Sequence, residues 1–523
     1  MRARGGDFLA GLRAAARRLG RSPGSTLVAV LALGLGIGAN ALVFGFVDRL
    51  ILRPPAHVRA PDEVVRVLLE EPARPGADGP AFSDATSFLV LRTLRDAVPG
   101  LRGVAGARTV RLSLREGSDA HEVRAALVSP SYFALLGVPM AVGQGFPSVP
   151  EEEGRELHLA VLGHELWTAH FGGDPHVLGR TLQVGGRAYT VAGVAPAGFG
   201  GLDRRRVDLW LPFPAALEGD ARLADWATDV EAAWVSVAAR LRPGATPAEV
   251  ERAATRAVAA MHEAAGRAAD DVARVVLAPA IPGRGPDAPR EARVAVWAGA
   301  VAALLLVMTC ANVAHLLLAR AHERQGELAV RVAIGAGWRR LGGMLLTEAA
   351  LLVAAGCGIA VALAVIGARA LAPLVLPPDA VALPVVDWRL LGAMLILAAV
   401  TTVLVAALPL RHALTANVAD LLRASGRARG APPRRGVPGL LVVQAAVCTA
   451  LVAGTGLFVR SYAQVMGLDL GVDLDRTLVV TIDWRATSLR APERAAFLED
   501  ARARLLAAPG IERVGVAEGS PYL

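Results

Sequence analysis

The 523-residue chain contains no lysine, and all 55 of its basic residues are arginine. A Walker A loop holds nucleotide phosphates with a lysine, and Schiff-base catalysis needs one as nucleophile. A standard P-loop ATPase and an imine-forming enzyme are therefore excluded. Cysteine is nearly absent as well. Cys310, Cys357 and Cys448 all lie within apolar runs, which leaves neither a disulfide framework nor a CxxC metal site. Aromatic residues supply only 5% of the chain, so its apolar excess comes from Ala, Val, Leu and Gly, the residues that fill lipid-embedded helices.

That excess is large. Hydrophobic residues make up 54% of the sequence and the mean hydropathy is +0.45, above the usual range of soluble proteins. The net charge of +8 falls in blocks beside the apolar runs, a membrane pattern and not that of a nucleic-acid-binding protein. Five runs approach or exceed the roughly 20 apolar residues that cross a bilayer as a helix: Thr26 to Val47, Val294 to Leu318, Gly342 to Ile366, Leu390 to Leu410 and Val437 to Val459. The first is longer than a signal-peptide core and has no obvious A-x-A cleavage site, so it reads as a retained anchor.

The organisation expected from these runs begins with a cytoplasmic amphipathic helix over residues 1–24, in which Phe8, Leu12, Ala15 and Leu19 share one face and lie on membrane lipid. Pro23 and Gly24 end it. A first span over 25–47 leads into a mixed α/β domain over 48–293, long enough for two subdomains. Residues 294–424 hold spans at 294–318, 342–366 and 390–410, with a cytoplasmic segment at 323–340. A linker at 425–436 precedes a fifth span at 437–459, and 460–523 open a second α/β domain. The last two follow from an internal repeat: Pro99, Gly100, Leu101, Val104 and Ala107 recur as Pro509, Gly510, Ile511, Val514 and Ala517. Nearly the same offset carries the first span onto the fifth, as a gene duplication would. The second copy is then expected to be incomplete in this sequence, as a fragment, a split gene or a truncated gene would leave it.

Within the first span Gly34, Gly36 and Gly38 spell GxGxG without the preceding strand that a dinucleotide site requires. Gly34 and Gly38 instead form GxxxG, which admits close approach of another helix, and Asn40 and Asn312 are polar residues expected to hydrogen-bond between spans. His158, His164, His170 and His176 recur at a spacing that matches no single face, and Thr168 interrupts any HExxH, so no metal site is expected. No GxSxG elbow or paired carboxylate occurs, and the chain reads as a non-enzyme without cofactor. In the segment 323–340, Glu327 and Arg331 form an i,i+4 pair, Leu328, Val330, Ala333 and Ile334 supply an apolar side, and Gly335 and Gly337 end the helix. Such a helix suits an interfacial anchor and a docking site for a cytoplasmic partner equally.

Several of these motifs resemble one family. Ser22-Pro23-Gly24 with Leu33-Gly34-Leu35-Gly36-Ile37-Gly38-Ala39-Asn40 is similar to the opening of the duplicated MacB/FtsX-like ABC transporter permeases, of the acidobacterial-type orphan kind. Cys310-Ala311-Asn312-Val313-Ala314, Leu317-Leu318-Ala319-Arg320-Ala321 and Glu327-Leu328-Ala329-Val330-Arg331-Val332-Ala333-Ile334-Gly335-Ala336 resemble its FtsX-like permease domain, with His315 where asparagine is more usual. Tyr132-Phe133, Leu136-Gly137-Val138, Phe171-Gly172-Gly173-Asp174-Pro175, Leu178-Gly179-Arg180-Thr181-Leu182 and Val191-Ala192-Gly193-Val194 resemble the MacB-like periplasmic core.

The resemblance implies FtsX-like transmembrane helices with a MacB-like mixed α/β periplasmic domain in a bacterial inner membrane. The implied function is export or extraction of a substrate, driven by a separate cytoplasmic ABC ATPase that binds the ATP. Glu327, Leu328, Val330, Arg331, Ala333 and Gly335 would form the ATPase-coupling helix. A periplasmic adaptor and a dimer or pseudo-dimer partner are further implied associations. The competing reading from the residues alone is a non-transport receptor or scaffold with a ligand-sensing outer domain.

Orientation follows from the arginines that flank the spans. Arg13, Arg17, Arg18 and Arg21 precede the first, Arg320, Arg324, Arg331, Arg339 and Arg340 separate the second from the third, and Arg423, Arg427, Arg429, Arg434 and Arg435 separate the fourth from the fifth. These segments and the N-terminus are expected inside, and residues 48–293 outside. A single cysteine at position 220 of a cysteine-free variant should react with a membrane-impermeant maleimide before the inner membrane is permeabilised. Reaction only afterwards would contradict the topology.

Overall fold

The computed structural model describes residues 13, 15–71, 80–116, 119–150, 154, 156–217, 227–230, 232–266, 274–288, 290–323, 338–375, 386–415, 437–467, 476–478, 480 and 491–516. The chain divides into two compact units, Met1–Arg53 with Ile281–Thr477 and Pro54–Ala280 with Leu478–Leu523. The first is helical and the second is built on a sheet.

In the helical unit, helix α1 spans Pro23–Val47. Residues 15–20 are also helical, and the break from α1 falls at residues 21–22. Pro23 thus opens the next helix at a position where its missing N–H costs nothing and its fixed φ suits the turn; the expectation that Pro23 and Gly24 interrupt the chain is corrected to this extent. A π-helical turn, Asp48–Leu52, continues α1.

Three glycines decide how α1 packs. A Cβ on Gly34 would lie 2.8 Å from the Cβ of Ile359, and one on Gly38 would lie 3.2 Å from the Cα of Ala360, both on the helix Trp338–Val375. Gly36, two residues from each, turns to the other side, where its Cβ would meet Thr309 at 3.1 Å on the helix Arg290–Glu323. Residues four apart share a helical face and residues two apart do not, so the GxGxG run opens both flanks of α1. Gly356 answers Gly34 from the facing helix, since its own Cβ would sit 3.2 Å from the Gly34 backbone nitrogen. Leu33 and Ile37 are fully buried in the cluster this approach creates, together with Val313, Leu352, Ala360 and Val405. A fourth long helix, Trp388–Thr415, adds Leu390, Met394 and Val405 to that cluster. The fifth, Val437–Met466, is buried over only 6% of its span against 28–39% for the other four, so little among the described residues covers it.

Twelve strands of the sheet unit form one sheet. In chain order they are β1 Val64–Glu71, β2 Ala81–Ser83, β3 Ala85–Thr86, β4 Leu101–Glu116, β5 Asp119–Val128, β6 Val142–Gly143, β7 Leu159–Leu162, β8 Thr181–Val184, β9 Arg187–Val194, β10 Leu209–Pro212, β11 Val235–Leu241 and β12 Arg274–Pro279. The spatial order is β12-β1-β11-β4-β5-β10-β7-β9-β6, with β2 on β1, β3 on β11, and β8 bridging β4 and β9. Pairing is antiparallel except between β10 and β5 and between β7 and β9. The mixed α/β fold class is therefore observed.

Alternation along the strands loads both faces of this sheet. Leu209 and Leu211 enter one core while Trp210 between them enters the other, and Ala125 and Leu127 part from Ala126 and Val128 in the same way. Successive strand side chains point to opposite faces, so strands read as continuous apolar runs when both faces are covered. The first face carries the helices Phe88–Ala97 and Pro247–Ala264 through Leu91, Leu94, Val250 and Val258. The second carries the short helix Tyr132–Leu136 and an aromatic cluster of Phe133, Phe146, Phe199 and Trp210, with Phe199 and Trp210 stacked at 5.4 Å. In place of two subdomains, the structure has two cores on one continuous sheet.

The repeat has a backbone signature. Gly100 follows the helix Phe88–Ala97 with φ +93°, and Gly510 follows the helix Ala491–Leu506 with the same φ of +93°. Only glycine adopts that conformation without a steric penalty. Its recurrence accounts for the glycine in both copies of the repeat.

Because the Gly34 contact is backbone-close, Gly34→Val should lower stability by about 1–3 kcal/mol, the usual penalty for overpacking. Gly454→Val is the matched control, because a Cβ there meets nothing within 4 Å. Thermal unfolding in detergent should show a clear loss for the first and little for the second; equal melting of both variants would contradict the packing.

Candidate functional site in the helical unit

The residues expected to couple to an ATPase, Glu327, Leu328, Val330, Arg331, Ala333 and Gly335, lie outside the described residues. In the chain, the segment they occupy joins two described helices. It is flanked by the helices Arg290–Glu323 and Trp338–Val375, and both are tied to the start of α1. Arg320 donates to Ser25 Oγ at 2.6 Å and to Thr26 Oγ1 at 3.0 Å. Thr26 in turn donates to the carbonyl of Leu19 at 2.9 Å. Arg18, in the preceding helical stretch, pairs with Glu348 of the third long helix at 3.3 Å.

Glu348 is 8% exposed, and a carboxylate inside an apolar span is costly unless it is paired. Its pairing with Arg18 brings the N-terminal helical stretch onto the bundle. Leu19 packs against the same core as Leu33 and Ile37, and Ala15 is buried. Three chain segments, the start of α1, the end of the second long helix and the start of the third, are thus joined by polar contacts.

Among the polar residues singled out for packing, the Asn40 side chain donates to the carbonyls of Gly36 at 2.8 Å and Ala302 at 2.7 Å. It thereby links α1 to the helix Arg290–Glu323. Asn312 accepts from Gln444 of the fifth long helix at 3.3 Å, and Gln444 also donates to the Met308 carbonyl. Gln444, Glu348 and Arg320 were not singled out from the sequence as packing or pairing residues. For Gln444 and Glu348 the signal was available, since each is a polar residue within an apolar run.

The histidines diverge in the sheet unit. His164 packs on Trp167, His158 on Tyr189 and His170 on His121. Among the described residues there is no group of three or more His, Cys, Asp or Glu side chains placed to hold a metal ion.

Comparison with known proteins assigns both units. The MacB-like periplasmic core domain family matches residues 26–257, beginning within α1, and the FtsX-like permease C-terminal family matches residues 299–418. The macrolide export ATP-binding/permease protein MacB of Burkholderia thailandensis is 24% identical over 242 residues, which cover 45% of this chain and 34% of that protein. The chain thus spans about a third of the length of this curated relative. Similar solved structures include the extracellular domain of the noncanonic ABC-type transporter YknZ from Gram-positive bacteria, at 13% identity, covering 41% of this chain and 98% of that one with a TM-score of 0.29. Another is the periplasmic region of MacB from Actinobacillus actinomycetemcomitans, at 12% identity, covering 42% and 89% with a TM-score of 0.31. With both family domains present in this order, and with five helices long and apolar enough to cross a membrane, the chain belongs to the MacB/FtsX-like ABC transporter permeases.

Proposed function

We propose that this permease carries ATP-driven movement from a separate cytoplasmic ABC ATPase to its MacB-like domain on the far side of a bacterial inner membrane, for export or extraction of a substrate. The observation that supports the reading best is the order of the two family domains. The MacB-like domain is inserted between α1 and the FtsX-like helices, so both of its chain connections lead into the bundle that also carries residues 324–337. The lysine-free sequence supports a division of labour: this chain has no Walker A lysine, and the ATP is bound by the partner. The N-terminus and the 324–337 connection are cytoplasmic by their arginines.

On the sequence pattern, Glu327 to Gly335 form the coupling helix, with its inner apolar side against the membrane domain and Leu328, Val330 or Arg331 reaching the ATPase. Arg331→Glu places like charges at i,i+4 beside Glu327, which costs a few tenths of a kcal/mol and leaves folding intact. At a desolvated contact the same reversal costs about 2 kcal/mol or more. The affinity of the ATPase for the detergent-solubilised permease should therefore fall by roughly tenfold or more, with Arg324→Glu as the matched control. Equal affinity of wild type and both variants would leave the helix as an interfacial anchor, and a receptor or scaffold would then be the better reading.

A further inference from the structure

Where α1 ends, four charged side chains and a π-helical turn meet. Asp48 is 2% exposed. One of its carboxylate oxygens receives Arg53, with Nε at 3.0 Å and Nη2 at 2.9 Å, and the other lies 2.8 Å from Nη2 of Arg389. Arg53 also reaches across to Asp387. Asp387 uses its second oxygen to accept the Leu390 N–H at 2.9 Å, which caps the helix Trp388–Thr415. One guanidinium therefore joins the end of the first span to the start of the fourth.

The backbone is shaped for this contact. Residues five apart lie on different faces of an α-helix, and it is the wider π turn, closed by the Arg53 N–H on the Asp48 carbonyl at 2.7 Å, that lets Asp48 and Arg53 share a partner. The returning chain holds the turn from the other side. Arg284 donates to the carbonyls of Ile51 at 2.7 Å and Leu52 at 3.4 Å, and Gly283 passes so close that a Cβ would lie 2.3 Å from the Leu50 oxygen. Burial alone would raise the Asp387 carboxyl, but the Leu390 N–H and the Arg53 guanidinium outweigh it and hold the group below its ordinary value.

We propose that Asp48, Arg53, Asp387 and Arg389 form a standing latch that fixes the π-helical exit of the first span, and with it the returning chain at Gly283 and Arg284, to the start of the fourth span. Both chain crossings into the MacB-like domain then move with the helical bundle as one body. The use of such a latch rests on the permease reading; its existence does not.

The test uses the full chain in lipid nanodiscs. In Asp387→Asn, amide hydrogen exchange at Leu50 to Arg53 should accelerate by roughly tenfold or more, as loss of a local closing contact does, while β5 is unchanged. Exchange at Leu50 to Arg53 indistinguishable from wild type would overturn the latch. A second variant covers a failure to fold: Arg53→Cys with Asp387→Cys, in a chain with Cys310, Cys357 and Cys448 replaced by alanine, joined by a short, cleavable bifunctional thiol reagent. The linked protein should keep slow exchange at Leu50 to Arg53, and ATP hydrolysis by its complex with the ATPase should not change on linking. Hydrolysis lost on linking and regained on cleaving the reagent would show that the two ends separate during the cycle, which overturns the proposal. If no ATPase associates with the chain, the permease reading fails, while the exchange results still decide the latch.

Discussion

The backbone contact between Gly34 and Gly356 is the constraint on which the helical unit depends. Lipid tails are as apolar as leucine, so helices in a membrane gain little from hydrophobic burial against one another and associate through close packing and interhelical hydrogen bonds. Bare backbone on both sides lets α1 approach the third long helix closely enough to bury Leu33 and Ile37 completely, and Gly36 repeats the device toward the second long helix. Asn40 can then reach the Ala302 carbonyl. Without the three glycines, α1 would be a tether; with them it is the centre of the bundle.

That position matters because α1 is also the stem on which the sheet unit is threaded. The sheet unit has its own source of rigidity in a single sheet with a core on each face. Close-packed interiors of this kind have low compressibility. At one end of α1, Arg320, Thr26, Arg18 and Glu348 tie it to the helices that flank residues 324–337. At the other, the charges around Asp48 hold its exit. Charged contacts thus sit at the two ends of the stem, where each buried carboxylate is paired with an arginine, and glycines occupy its middle.

Much of this was legible in the sequence. The apolar β-rich runs Leu159 to Leu162 and Thr181 to Val184 read as strands and are β7 and β8, Gly185 and Gly186 read as a tight hairpin turn and both take positive φ, and the helical stretches that the pattern predicts around Phe88, His164 and Pro247 begin at those residues. The single continuous sheet was not legible, because pairings such as β1 with β11 and β5 with β10 join residues far apart in sequence and leave no local mark. The π turn escaped for a related reason: Asp48, Arg49 and Arg53 read as an ordinary charged end to a span, and only the distant Asp387 and Arg389 reveal why the helix widens there. GxxxG packing could be read from Gly34 and Gly38, but their partners, Gly356 and Ala360, could not. Residues 324–337, on which the coupling proposal depends, lie outside the described structure, and for them the sequence pattern is the whole of the argument.

The family places this chain among permeases, and the function proposed for it assigns the nucleotide to a separate ATPase. The most direct measurement of that account is the rate of ATP hydrolysis by a cognate ABC ATPase, with empty nanodiscs and with nanodiscs that hold the chain. The account predicts that the ATPase binds only the loaded nanodiscs and that its hydrolysis rate changes on binding. An ATPase that neither binds nor changes its rate, while the chain instead co-purifies with a signalling kinase or regulator, would contradict it.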